Sequence, residues 1–410
     1  MDVISPLTPS ASTCGYCSPP GERSKEESSI HQAECIPIRL SCESYQRMID
    51  RGWRRSGTFC YKPDMQRTCC PQYTIKLDAL DFKPSRSQRQ LVNRWNRFVL
   101  YGDNDAANHE GQISSKKGKA PKVSTFELVT SIHASEKSFV MEDVPKHEFE
   151  VTLEPASYTD EKFALYQSYQ KEIHHEQEKT PGGFKRFLVE TPLISSPITY
   201  SGDPPDHLPA TYGSYHQMYR LDGQLIAMAV LDILPNCVSS VYFMYEKTWE
   251  RFSLGKLSAL REAALVREIQ EAGATEMTAL YMGYYIHTCQ KMRYKGDYSP
   301  SFLLDPEEYN WHPLKSCRAI LDQYKYASFE HPERSQVDPI PANAHVPETP
   351  DDVLNNLKLL QRTREGYVAL QLPLSPEWKR PSARRAVLIT ANGLGYELAC
   401  EVLFFLAYEL

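Results

Sequence analysis

Gly213-Ser-Tyr-His-Gln-Met-Tyr-Arg-Leu221, Asp222-Gly223, Gln224-Leu-Ile-Ala-Met-Ala-Val-Leu-Asp-Ile-Leu234, Pro235-Asn236 and Cys237-Val-Ser-Ser-Val-Tyr-Phe-Met-Tyr-Glu246 follow one another without a gap. They read as strand, turn, strand, turn, strand. Asp-Gly between two apolar runs is a strong signal for a tight hairpin, because both turn residues must accept positive φ. Pro235-Asn236 breaks the next pair. Ser253 then predicts the cap of a helix carrying Leu257, Leu260 and Ala264 at helical spacing, with Gly273 as its stop. The apolar run Thr278 to Ile286 predicts a strand returning beside the earlier ones.

Working outward, His147 to Leu153 alternates Phe149, Val151 and Leu153 as a half-buried strand does. Thr159 is placed to cap a helix running through Phe163, Tyr166 and Tyr169, with Asp160 and Glu161 favourable in its first turn. Upstream, Ser44 to Arg51 predicts a helix ended by Gly52, Gln72 to Asp78 a strand, and Ser87 to Leu100 a helix with Leu91, Trp95 and Phe98 on one face. Residues 1–11 and 18–30 are Ser/Pro/Glu-rich and read as mobile. The resulting plan is a disordered N-terminus (1–11), a Cys-rich domain (12–101), a small polar linker (102–122), a mixed-sheet domain (123–330) and a variable Pro-rich tail with short helices (331–410). In that tail Val353 to Gln361 is amphipathic, and Leu394 to Leu410 predicts a docked helix.

A chain of 410 residues with 41% hydrophobic and 24% charged residues is ordinary for a soluble protein of two to three domains. The net charge of −6 argues against a uniformly basic nucleic-acid binder. The charge is uneven, however: residues 40–99 hold twelve Lys or Arg against five Asp or Glu. A phosphate backbone responds to such a local field rather than to the total. The chain opens without a basic, apolar leader and holds no run long enough to span a membrane, so cytosol or nucleus is the expected compartment. Seven of the eleven cysteines lie in the first seventy residues, a clustering that favours reduced thiols around a metal over disulfides.

Two local patterns carry chemistry. Cys14-x-x-Cys17 with Cys69-Cys70 can supply two edges of a tetrahedral thiolate set, suited to zinc or an iron–sulfur cluster. Spacing alone does not separate those two groups, and Cys35, Cys42 and Cys60 are alternative ligands. Arg51-Gly-Trp53-Arg54-Arg55, followed by Lys62, mixes guanidinium forks with an aromatic ring, a combination that grips phosphate and stacks on bases.

Three N-terminal blocks, Ser12-Thr-Cys14-Gly-Tyr-Cys17, Ile49-Asp-Arg-Gly-Trp-Arg-Arg-Ser-Gly57 and Thr68-Cys-Cys-Pro-Gln-Tyr-Thr74, closely resemble the N-terminal domain of the eukaryotic arginyl-tRNA–protein transferases. So do Tyr212 to Gly223, Ala229 to Tyr242, Ser258-Ala-Leu-Arg-Glu262, Tyr281-Met-Gly-Tyr-Tyr-Ile-His287 and Met292-Arg-Tyr-Lys-Gly296 in the second half. The resemblance covers roughly residues 12–101 and 148–330. It implies an α+β fold with a GNAT-like acyltransferase domain, whose mixed sheet is flanked by helices, beside an N-terminal Cys-rich domain. A meander, a helix and a further strand are the order seen in that acyltransferase class. The resemblance also implies a zinc ion or iron–sulfur cluster held by Cys14, Cys17, Cys69 and Cys70, and arginyl-tRNA as the donor. Acceptors are expected to begin with Asp, Glu or oxidised Cys, the added arginine marking them for ubiquitin-dependent degradation. The enzyme is expected to act as a monomer, off the membrane.

In such a reaction a free α-amine attacks an ester that is already activated, so neither ATP nor CoA is expected and no covalent nucleophile is needed. A base must take the amine proton and a donor must steady the oxyanion. His216 and His287 are base candidates because imidazole titrates near neutrality. Tyr284 is a donor candidate, and Asp232, a carboxylate in an apolar strand, is a contact for the arginyl guanidinium. Tyr212, Tyr219, Tyr242, Tyr285, Lys291 and Lys295 complete the substrate set, with Arg51, Trp53, Arg54, Arg55 and Lys62 toward tRNA. An acyl-CoA acetyltransferase is disfavoured, because Glu250 to Ser258 opens the helix with a single glycine rather than a Gly-rich turn. A non-catalytic thiol-metal RNA-binding or redox-sensing protein would leave the second half idle.

Overall fold

In the computed structural model of the chain, Asp222-Gly223 turns a hairpin in the way its chemistry requires. Both residues take positive φ (49° and 79°), and Leu221 faces Gln224 across the turn. Strand Thr211–Leu221 returns as Gln224–Ile233, which pairs in turn with Cys237–Tyr245; Phe149–Pro155 adds on the other side, every pairing antiparallel. The structure describes residues 1–19, 22–112, 126–140, 144–176, 179–340 and 348–407. It divides into two units of mixed helix and sheet, one comprising Met1–Leu77, Lys185–Ser196 and Tyr281–Leu410, the other Asp78–Phe184 and Pro197–Leu280.

The second unit is the meander with its helices. Thr159 caps helix Asp160–Glu172 by accepting from the Lys162 N–H at 3.2 Å. Helix Leu254–Glu271 buries Leu257, Leu260 and Ala264 as their spacing predicts. Its start departs from expectation: Ser253 stands at the N-cap but adopts φ 51° and makes no side-chain cap. The face of helix Arg86–Gln112 that carries Leu91, Trp95 and Phe98 is buried. There Trp95 meets Phe149 edge-on at 5.0 Å and Phe252 at 5.1 Å. That helix bends at Gly102 (φ 75°) and continues through residues 103–112, where a linker was expected. The rest of that linker, 113–122, lies outside the described residues.

The first unit corrects two expectations about the ends of the chain. Residues 1–11 include a strand, Val3–Leu7, antiparallel to Ser29–Ser41 and parallel to Leu403–Phe404. Asp2 anchors it, its carboxylate accepting from the Ser41 N–H (2.9 Å) and hydroxyl (2.8 Å). The segment after 331 is no appendage either. Strands Lys358–Thr363 and Gly366–Gln371 extend the same sheet, whose order is Gly366–Gln371, Lys358–Thr363, Leu403–Phe404, Val3–Leu7, Ser29–Ser41, Phe59–Pro63, Arg54–Ser56. The amphipathic stretch Val353 to Gln361 is part helix (Asp351–Asn356) and part strand, and within Leu394 to Leu410 the short helix Tyr396–Glu401 is followed by strand Leu403–Phe404, residues 408–410 lying outside the described residues. Strands Val3–Leu7 and Leu403–Phe404 are short and pair from opposite ends of the sequence, so neither periodicity nor local propensity marks them.

Candidate functional site

The first unit holds the thiol corner. Cys14 and Cys17 follow the short strand Ala11–Ser12, and Cys69-Cys70 precede strand Tyr73–Asp78. Backbone bonds pin both loops: Ser24 N–H to the Cys14 carbonyl at 2.7 Å, and Cys69 N–H to the Ser28 carbonyl at 2.8 Å. The four Sγ atoms lie within 4.8 Å of one another, and Cys17 Sγ is 3.8 Å from Cys69 Sγ. The Tyr16 N–H donates to Cys14 Sγ (3.3 Å) and the Ser28 hydroxyl to Cys69 Sγ (3.1 Å), bonds that favour thiolates. Burial nevertheless pushes Cys69 up to about 11 and Cys70 higher still. For Cys14, burial also acts upward, but donors including the Tyr16 N–H win and hold it below its ordinary value. Four converging sulfurs deprotonate together only around a cation, so the donor set fits a thiophilic metal ion. Cys35 and Cys60 instead face each other, buried, in the sheet.

Ile286 packs directly on Cys14 and Cys70, with Cys289 and Met292 beside them. The residues around this apolar cap carry polar chemistry. Gly283 takes φ 66° inside strand Ala279–Tyr285, and its carbonyl accepts from Arg54 Nη2 at 3.1 Å. Tyr284 and Tyr285 reach different partners, as consecutive strand residues must. The Tyr284 hydroxyl donates to the Gly52 carbonyl (2.9 Å), its ring lies 5.0 Å from the Arg54 guanidinium, and burial drives its pKa far up. The Tyr285 hydroxyl pairs with His287 Nδ1 (3.0 Å), and His287 Nε2 with Asp322 (2.8 Å). Both imidazole nitrogens of His287 are therefore engaged. Lys295 Nζ donates to the Tyr284 carbonyl at 2.7 Å. Burial, reinforced by the Arg54 charge and only partly opposed by Cys289, brings its pKa down to about 7. Lys291 is exposed.

The fold separates the residues of the basic–aromatic block. Trp53 is wholly buried, its indole donating to the Gly393 carbonyl at 2.9 Å, so the ring has no face for a base. Arg54 and Arg55 are buried and donate to carbonyls, Arg55 to that of Gly57 at 3.0 Å. Arg51 and Lys62 open instead onto a cavity of about 610 Å³, also lined by Arg67, Tyr309 and Arg385. The Arg51 guanidinium lies 4.0 Å over the Tyr309 ring, and Lys62 Nζ donates to the Tyr309 hydroxyl at 2.8 Å. Burial lowers Lys62; it acts upward on Tyr309, but Lys62 and Arg51 together pull that phenol below its usual value. Tyr309 holds a positive φ of 61°, costly for a bulky residue. The adjoining Asp305 knot, which accepts from the Glu307, Glu308 and Phe329 N–H groups, fixes it. No sequence signal marked Tyr309 or Asp322, because their partners are far away along the chain.

The other candidates belong to the second unit. Asp232 is fully buried and accepts from the Ser214 hydroxyl at 2.7 Å, and His216 is fully buried mid-strand. The Tyr219 hydroxyl donates to Gln217 (2.7 Å), while that of Tyr242 accepts from Gln170 (2.7 Å). Tyr212 is half-buried at the start of its strand. The ten substrate and catalytic candidates thus fall into two sets. Tyr284, Tyr285, His287, Lys291 and Lys295 belong to one unit, and Tyr212, His216, Tyr219, Asp232 and Tyr242 to the other.

The class is that of transferases that take an aminoacyl group from tRNA. Residues 12–90 match a family model described as arginine-tRNA-protein transferase, N terminus, and residues 161–305 match the corresponding C terminus. The arginyl-tRNA–protein transferase 1 of Drosophila melanogaster is 32% identical, the alignment covering 90% of this chain and 92% of that one. Its Saccharomyces cerevisiae namesake is 31% identical over 70% and 54%, and an aspartate/glutamate leucyltransferase of Pseudomonas fluorescens 28% over 63% and 79%. The chain belongs to the arginyl-tRNA–protein transferase family. Among solved structures, the C-terminal domain of a putative lysylphosphatidylglycerol synthetase from Agrobacterium fabrum matches 52% of this chain and 46% of its own at 14% identity. With a TM-score of 0.26, that likeness carries no argument about the fold.

Proposed function

We propose that this protein transfers arginine from arginyl-tRNA to the α-amine of proteins that begin with Asp, Glu or oxidised Cys. The product carries a destabilising N-terminus for ubiquitin-dependent degradation. The observation that carries this reading is the full-length similarity to a protein named for the reaction, 32% identical with 92% of its length matched. The antiparallel meander, the following helix Leu254–Glu271 and strand Ala279–Tyr285 support a GNAT-like acyltransferase fold. No helix of the described residues is long and apolar enough to cross a membrane, and a reaction on tRNA and newly exposed N-termini suits the cytosol or nucleus.

In the reaction a C–N bond forms between the acceptor amine and the arginyl carbonyl, the ester C–O bond breaks, and the amine proton passes to a base. The freed ribose hydroxyl takes a proton as it leaves, so no ATP or CoA enters the balance. Lys295 is the base we assign, because an amine titrating near 7 is half neutral at cellular pH and can still donate to the Tyr284 carbonyl. Arg51 and Lys62 line a cavity that would take the phosphate-bearing end of the tRNA. Cys14, Cys17, Cys69 and Cys70 would hold zinc or an iron–sulfur cluster. Bound there, such a group would lock the two loops under Ile286 and so set the position of the Tyr284–Lys295 segment.

Acceptor choice is tested by incubating the protein with labelled arginyl-tRNA and peptides that differ only in beginning with Asp, Glu or Ala. Label is expected on the Asp and Glu peptides and not on the Ala peptide. Equal labelling of all three would overturn the acidic-acceptor assignment.

A further inference from the structure

The second unit gathers two histidines and a carboxylate that the transferase reading does not use. His133 ends the short helix Leu128–His133, His207 lies in the loop before strand Thr211–Leu221, and Glu268 sits in the last turns of helix Leu254–Glu271. His133 Nε2 and His207 Nε2 each lie 2.8 Å from the same oxygen, Glu268 Oε1, across sequence separations of 135 and 61 residues. One donor atom from each residue falls within 4.8 Å of the other two. His133 and Glu268 are largely buried, with side-chain exposures of 5% and 11%, while His207 at 29% borders solvent.

We infer that His133, His207 and Glu268 form a second metal site, for a divalent ion of the zinc type, separate from the four cysteines. Two imidazole nitrogens and one carboxylate oxygen converging from three elements are the ligand types and number of a three-residue zinc site. The outer shell is also in place. His133 Nδ1 is held by Glu136 Oε2 at 3.0 Å, and Glu136 is clamped in turn by the Arg261 guanidinium, Nη2 to Oε2 at 2.9 Å. A histidine whose far nitrogen is fixed by a carboxylate presents its near nitrogen in one tautomer and one direction, the arrangement that metal-ligating histidines favour. The Phe139 ring stacks on His133 at 3.9 Å between centroids and sheds water from that side. Ligand bonds of about 2.0–2.1 Å place tetrahedral donors about 3.3 Å apart, so binding widens the two histidine–Glu268 separations by about half an ångström. It also releases the protons that now bridge each histidine to Glu268. The ion ties helix Leu128–His133, the 201–208 loop and helix Leu254–Glu271 together, a structural staple of the second unit.

The test loads the full-length protein with Zn²⁺ or Co²⁺, dialyses it, and counts retained metal per chain in wild type, His207→Ala and Glu268→Gln. His207 borders solvent and Glu268→Gln conserves volume, so at least one variant folds. Each folded variant is expected to retain one equivalent less than wild type. The Co²⁺ difference spectrum between wild type and variant should show visible d–d bands without thiolate charge transfer. Cys69→Ser, conversely, should leave this equivalent in place. A shared proton on His133 would give the same hydrogen bonds with no retained ion, so unchanged metal content in both variants would overturn the site. That result would leave the arginine-transfer reading intact, since the label assay does not depend on this trio.

Discussion

Lys295 shows how one residue's surroundings become a measurable pH dependence. Its ordinary pKa of 10.5 falls to about 7 in the folded chain, through burial and the neighbouring Arg54 charge, with Cys289 and the Tyr284 carbonyl as its other close neighbours. The transfer rate should therefore rise as pH increases through about 7 and then level off. Lys295→Met should lower kcat by about 10²- to 10⁴-fold, the usual worth of a general base, and remove that limb of the profile. The sign for stability runs the same way: between about 7 and 10.5 the unfolded chain keeps a proton that the folded chain has released. Stability contributed at this site thus rises with pH across that window, and the cost of the buried charge is full below it. Denaturant unfolding of wild type and Lys295→Met at about pH 6 and about pH 9 should show the variant's advantage shrinking at the higher pH. The Arg51-to-Lys62 block separates in the same way into roles. Arg51→Ala should weaken tRNA binding and reduce the salt slope by about 1. Trp53→Ala should instead cost about 3–5 kcal/mol of unfolding free energy, because a wholly buried ring is lost.

Among elements, glycine positions separate a turn that tolerates change from one that does not. Gly57 follows strand Arg54–Ser56 at φ 61°, and a Cβ there would stand 1.8 Å from the Arg186 carbonyl oxygen. Gly223, in the hairpin at φ 79°, would meet nothing within 4 Å. Gly57→Ala should destabilise by several kcal/mol, whereas Gly223→Ala should cost only the strain of positive φ, about 1 kcal/mol; thermal unfolding ranks the two. The hairpin was legible in the sequence because its signal is local: Asp-Gly, flanking apolar runs and the caps at Thr159 and Gly273 each need only a few residues. The two tight cysteine pairs stood out by spacing for a similar reason, but Cys35, Cys42 and Cys60 stayed in competition, and only the resemblance selected the four that the fold brings together. Strand Val3–Leu7 was not, because its partners are Ser29–Ser41 and Leu403–Phe404 and its Ser/Pro content reads as coil. The same distance hid the partners of the site. Trp53 looked like a stacking platform until Gly393, 340 residues on, claimed its N–H, and Lys62 acquired Tyr309 from 247 residues away.

In the molecule as a whole, the thiol corner packs on Ile286, within the segment that carries Tyr284 and Lys295, and a metal held there would brace that segment. Metal retention tests the brace. Cys69→Ser should lose the metal of the thiol corner, while Cys60→Ser, buried in the sheet opposite Cys35, should keep it; equal metal content in both variants would defeat the ligand assignment. The central claim, arginine transfer, is tested most directly by a single-turnover experiment. Preformed arginyl-tRNA is mixed with the protein and one Asp-initiated peptide, without ATP or CoA, and the peptide and tRNA are followed by mass and by charging state. The account predicts that the peptide gains one arginine on its α-amine as the tRNA is discharged in equal amount. A tRNA that stays charged, or that is discharged while the peptide remains unchanged, would contradict it.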